Sequence, residues 1–195
     1  TGCESRVGVS RGRVGQRLLD GLVTAVGCRP GPAYRSLAGD EVRTFDDVSA
    51  TLRIAEGLPT VAGIKEASGN LGQVMEILRR RPKGFAVWSG DDAITLPMIA
   101  LGADGVVSVV SNQVPKEFST MVRLCLKGEF AKAAKLHYRL LPLMNINFVE
   151  ANPIPVKASL AMMGKIKEEY RLPLVPLSSR HRGTLRAILK DLDLL

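Results

Sequence analysis

Cysteine is scarce in this chain, and what there is does not pair. Cys3, Cys28 and Cys125 are odd in number and widely spaced. That pattern fits neither a disulfide framework nor a set of zinc ligands. Reduced thiols in a cytoplasmic protein are the simplest account. Aromatic residues make up only 5% of the chain, too few to interleave a basic surface with stacking platforms, and no nucleic-acid-binding motif occurs. No run reaches about 18 apolar residues free of charge, so no membrane span is expected. The opening T-G-C-E-S-R-V-G-V-S-R-G-R lacks the apolar centre of a secretory signal. No G-x-G-x-x-G follows any candidate strand, which removes the main reason to expect a dinucleotide-binding sheet.

What is present is an ordinary globular composition of 195 residues, 46% hydrophobic and 24% charged. The formal net charge of +8 suits anionic partners, of which small carboxylate substrates are one class and nucleic acid another. The basic residues are scattered, apart from Arg79-Arg80-Arg81. That run closes a helix, where the macrodipole favours cations. Nucleic-acid binding and membrane association are therefore not expected.

Three regions follow from texture. Residues 1–40 hold six arginines, eight glycines and no lysine; this Arg/Gly-rich segment is expected to be disordered or non-homologous to the rest. Residues 41–128 alternate strands and helices, and residues 129–195 are helical. Helices are expected over 45–56, 70–80, 92–101, 115–127, 130–149, 155–163 and 179–192, with Asn70 as an N-cap and Pro115 opening its helix. Strands are expected at 60–64, 85–89 and 105–110. Three strand-helix repeats imply a parallel sheet with crossover helices. The order fits the last part of a (β/α) barrel followed by a helical appendage; an open doubly wound sheet is the alternative.

Lys65 stands at the end of the first of these strands. An amine drawn out of water there loses its charged form, becomes nucleophilic and condenses with carbonyls. The plainer reading is a lysine that caps the strand and pairs with Glu66 or Asp91. The other two strands end in Ser89, Gly90, Asp91 and Asp92, and in Val107 and Ser108, with Ser111 and Asn112 beyond. In a barrel such ends converge on the C-terminal face, where active sites lie.

Those residues carry a resemblance. R-T at 43–44, L-R-I-A-E-G-L-P at 52–59, G-I-K-E-A-S-G-N at 63–70, S-G-D-D at 89–92, A-L-G-A-D-G-V-V-S-V at 100–109 and F-V-E-A-N-P-I-P-V-K at 148–157 agree in order and spacing. From about Val42 to Leu195 the chain resembles the C-terminal half of the dihydrodipicolinate synthase family. The wider group includes N-acetylneuraminate lyases and sugar-acid aldolases, and the N-P-I-P-V-K and R-T runs favour the synthase.

The resemblance implies a (β/α)8 barrel lineage and a class I aldolase-type lyase of lysine biosynthesis in the diaminopimelate pathway. Lys65 would form a Schiff base with pyruvate, and the enamine would attack L-aspartate 4-semialdehyde. Val107 matches the position whose backbone touches pyruvate, Gly90 lines the same pocket, and Arg43 would hold the semialdehyde carboxylate. Neither a metal nor an organic cofactor is implied, and a cytoplasmic homotetramer is.

The family's threonine pair and catalytic tyrosine have no counterpart, since the surroundings of Tyr34 do not match. Three strands cannot close a barrel. An inactive remnant, or an assembly piece that binds the complementary part of a barrel, is thus the second reading.

Overall fold

Asn70 shows how the sequence writes its own boundaries. Its side chain accepts a hydrogen bond from the Gln73 amide at 3.2 Å, satisfying a donor that the first helical turn leaves free. In the computed structural model, which describes residues 48–58 and 60–195, the elements run α1 (Val48–Gly57), β1 (Gly63–Glu66), α2 (Leu71–Arg80), β2 (Ala86–Ser89), α3 (Thr95–Ala100) and β3 (Gly105–Val106). After a 3-10 turn at Val110–Asn112 come α4 (Pro115–Leu126), α5 (Phe130–Ile146), α6 (Ile154–Met162) and α7 (Ser179–Asp191). The expectations for residues 1–47, including the Arg/Gly-rich segment and Arg43, lie outside the described residues.

The strands are parallel in the order β1-β2-β3. Gly63 pairs with Ala86, Lys65 with Trp88, and Trp88 in turn with Gly105. Side chains alternate between faces along each strand. Gly63, Lys65, Ala86 and Trp88 therefore share the inner face, while Ile64, Glu66, Val87 and Ser89 share the outer one. On the outer side Val87 is sealed with Val74, Ile77, Phe85, Met98 and Ala103, all buried. Val74 and Ile77 come from α2, Met98 from α3, and Phe85 and Ala103 from the turns that lead into β2 and out of α3, as a crossover architecture requires.

A second core lies among the helices. Phe118, Met121 and Cys125 from α4 meet Ala133, Leu140, Leu143 and Met144 from α5, with Leu185 and Leu189 from α7. Their spacing of three, four and seven residues lays one apolar stripe along each helix. Cys125 is a free, buried thiol. No helix among the described residues is long and apolar enough to cross a membrane.

Several element boundaries differ from expectation, and three of them have a local cause. The first strand spans Gly63–Glu66 and not 60–64, because Val61 donates to Leu58 O in a turn and the ladder starts only when Ala86 N reaches Ala62 O at 2.9 Å. The strand expected at 105–110 stops at Val106. The helix expected from residue 92 begins at Thr95. Both of the latter follow from Asp91 and Asp92, whose side chains take backbone amides that a longer strand or helix would have used.

His137 on α5 is 8% exposed, and its Nδ1 is buried with no partner among the described residues. Burial pushes its imidazole below the ordinary value of 6.5. The neutral ring is what the fold accepts. Its contribution to stability is thus present above that ordinary value and lost as pH falls through the lowered one. His137→Gln is expected to remove an acid-side slope of at most about 1.4 kcal/mol per pH unit, read from urea midpoints across that range.

Candidate active site

The strand ends are laced together by backbone bonds that run past the strands themselves. Gly90 N donates to Glu66 O at 2.6 Å, and Val107 N donates to Ser89 O at 2.8 Å. The first bond joins the end of β1 to the residue after β2; the second joins the end of β2 to the residue after β3. Lys65, half-buried on the inner face, sends its stem past Gly90. A Cβ built on Gly90 would stand 3.0 Å from Lys65 Cε, 3.0 Å from Glu66 O and 2.6 Å from Ala67 Cβ. Only a residue without a side chain leaves the lysine that passage. Lys65 and Gly90 are thus neighbours, with Val107 on the adjoining strand end. Arg43 belongs to the residues not described.

The partners that a merely structural Lys65 would use are engaged elsewhere. Glu66 points to the outer face, where its Oε1 accepts from Ser68 N at 3.2 Å and Gln73 Nε2 at 3.1 Å. Asp91 Oδ1 accepts from Ala93 N at 2.8 Å. Among the described residues no ion pair joins Lys65 to either. Several polar residues noted at the strand ends serve turns. Ser89 Oγ donates to Asp91 O at 2.7 Å, Ser108 Oγ accepts from Ser111 N at 3.0 Å, and Asn112 Nδ2 donates to Val109 O at 2.9 Å.

Two residues at this end carry more than their sequence positions suggest. Trp88 lies across the inner face below Lys65. A Cβ on Gly63 would meet its Cζ3 at 2.7 Å, and one on Gly105 its Cδ1 at 3.4 Å. The ring is housed because both flanking strands offer glycine. The alternation of faces, which places Gly63, Lys65 and Trp88 together, is the signal in the sequence that could have found it.

Asp92 is the other. It is 1% exposed, and its Oδ2 accepts from Val109 N at 3.0 Å and Val110 N at 2.7 Å. Nothing in its spacing marks it out from an ordinary turn aspartate. Burial pushes its carboxyl above the ordinary value of 3.8, against the pull of the Ser108 side chain and the two amides. The neutral form is favoured by the fold, so its contribution to stability is present below 3.8 and is lost as pH rises through the raised value. Asp92→Asn is expected to flatten that loss, at most about 1.4 kcal/mol per pH unit, in denaturant titrations at stepped pH.

The opposite end of the sheet is built for cohesion. Arg81 is pinned to Asp104 and to the carbonyls of Phe85 and Gly102, and Asp104 Oδ2 also accepts from Val87 N at 2.8 Å. A cleft of about 360 Å³ opens there against Leu78, Phe85 and Ala86. It lies away from Lys65, at the end of a barrel sheet associated with stability and not chemistry.

Residues 47–192 match the model of the dihydrodipicolinate synthetase family. The 4-hydroxy-tetrahydrodipicolinate synthase of Koribacter versatilis is 50% identical over 149 residues, which is 76% of this chain and 49% of that protein. The solved dihydrodipicolinate synthase from Thermotoga maritima is 42% identical, with a TM-score of 0.73 over 76% of this chain and 51% of its own. The chloride-inhibited enzyme from Acinetobacter baumannii, solved in complex with pyruvate, is 37% identical with the same TM-score over the same shares. The chain spans about half the length of the curated relatives it matches. Agreement over so many residues, in sequence and backbone together, fixes descent: this three-stranded sheet corresponds to part of a (β/α)8 barrel lineage, and the chain belongs to the dihydrodipicolinate synthetase family.

Proposed function

We propose that Lys65 condenses with pyruvate as a class I aldolase-type lyase, and that the product of the full reaction with L-aspartate 4-semialdehyde is 4-hydroxy-tetrahydrodipicolinate. The observation that carries this reading is the passage of the Lys65 stem past Gly90, beside the strand end that bears Val107. A relative of the same family was solved with pyruvate bound, and the net charge of +8 suits two carboxylate substrates.

The chemistry follows from an amine and a keto acid. The neutral lysine amine adds to the pyruvate carbonyl, and the carbinolamine takes up a proton from solvent and loses water to leave an iminium. The iminium draws electrons from the methyl carbon, which gives up a proton and becomes the nucleophilic carbon of an enamine. That carbon forms the new bond to the aldehyde. The substrate's own amine then attacks the iminium carbon, closes the ring and frees Lys65. Arg43 is proposed to hold the semialdehyde carboxylate, since a guanidinium fork matches that group. No step requires a metal or an organic cofactor, and a homo-oligomeric state is carried with the reading.

A specific observation favours a second reading. Among the described residues neither β1 nor β3 has a further strand on its outer edge, and the inner face around Gly63 and Trp88 is only half-buried. An assembly piece or inactive remnant would present such edges. Incubating the chain with both substrates and following ring formation separates the two. Turnover with L-aspartate 4-semialdehyde, and little with other aldehydes, is expected. Absence of turnover leaves the assembly reading.

A further inference from the structure

Two loops meet over the lysine end of the sheet, and one buried carboxylate joins them. The first loop follows β2 and carries Gly90; the second follows β3 and carries Val107. Asp92 belongs to the first and takes two consecutive amides of the second, Val109 N at 3.0 Å and Val110 N at 2.7 Å. Those amides would have extended β3 had the strand continued. Val107 is tied on its other side by its own amide to Ser89 O at 2.8 Å. The backbone around Val107 is therefore held between two anchors, Ser89 at the end of β2 and Asp92 in the loop that carries Gly90.

This arrangement is costly for a turn. Asp92 is 1% exposed, and its Oδ1 is buried with no partner at hydrogen-bonding geometry among the described residues, the Ser108 side chain being close enough only to favour its charge. A half-paired buried carboxylate is a poor source of stability compared with a neutral or apolar side chain of similar size. Many turns are closed by exposed aspartates without that penalty. What Asp92 does that an exposed residue could not is to fix one active-end loop against another from beneath.

We propose that Asp92 is a positioning residue for the reaction at Lys65: through the Val109 and Val110 amides it sets the Val107 backbone at the place beside Lys65 and Gly90 where the keto acid is held. The inference rests on the Schiff-base reading above. Because the keto acid must be presented to the amine in one geometry, a loop displaced by a fraction of an ångström acts on the rate of condensation more than on affinity.

The test uses the full chain with pyruvate as the probe. Three quantities are measured for the parent, Asp92→Ala and Asp92→Asn: the rate of borohydride-trapped adduct at saturating pyruvate, the pyruvate concentration for half-saturation, and hydrogen-exchange protection of the Val109 and Val110 amides. In Asp92→Ala the adduct rate is expected to fall on the order of tenfold to a hundredfold, with a smaller change in half-saturation and loss of protection at both amides. Asp92→Asn keeps an acceptor oxygen and is expected to restore most of the rate and the protection. If the alanine variant does not fold, Asp92→Ser, whose side chain is one atom short of the amides, takes its place. A folded variant that loses amide protection yet traps pyruvate at the parental rate overturns the proposal alone, as does an asparagine variant no better than alanine. A parent chain that forms no adduct overturns the Schiff-base reading, and the positioning role with it.

Discussion

Lys65→Arg is expected to abolish the trapped pyruvate adduct and to lower turnover by at least about a thousandfold, the scale on which a covalent nucleophile contributes. Arginine retains the positive charge and much of the apolar stem, so packing past Gly90 is largely kept. It cannot give up its proton at accessible pH, and so cannot add to a carbonyl. The neighbourhood supports a selective effect. Glu66 is turned to the outer face and bonded to Ser68 and Gln73, so no buried carboxylate is orphaned by the change. Turnover with both substrates, adduct mass and a thermal melt check this together. Loss of chemistry with an unchanged melt is the expected result; an adduct retained in the arginine variant would show that another amine does the work.

Gly63→Ala is expected to cost the most stability, about 3 kcal/mol. A methyl group there would stand 2.4 Å from Ala86 O and 2.7 Å from Trp88 Cζ3. The first contact is backbone against backbone in the ladder that pairs β1 with β2, so relief requires the strands to part. The second is against the indole that spans the inner face. Adding Trp88→Leu removes only the ring contact, so the double variant is expected to recover part of the loss and no more. Urea unfolding of the single variant, followed by the fluorescence of the only tryptophan in the chain, measures the first effect. Circular dichroism measures the double variant. Full recovery in the double variant would mean that the backbone contact is harmless.

Much of this architecture can be read before any coordinates. The apolar runs, Asn70 as a cap and Pro115 at the start of α4 mark strand and helix positions because each acts through local chemistry. The strand-helix repeats imply the parallel sheet and put Lys65, Gly90 and Val107 at strand ends. What is hidden depends on contacts between distant residues. Val109 and Val110 have strong strand propensity, yet their amides go to the Asp92 side chain, seventeen and eighteen positions away. Tertiary demand overrides propensity there. Trp88 likewise looks like one more apolar strand residue until register sets it between Lys65 and Gly105, with its ring lying against Gly63. Arg43 was singled out by resemblance and lies outside the described residues.

One amine, Lys65, is proposed to meet a keto acid at the C-terminal end of this sheet. Reduction of the chain with borohydride in the presence of pyruvate, followed by peptide mapping, tests it most directly. A single reduced adduct, confined to the peptide that carries Lys65, is the expected result. Modification spread over the exposed lysines, or no modification at all, would contradict it.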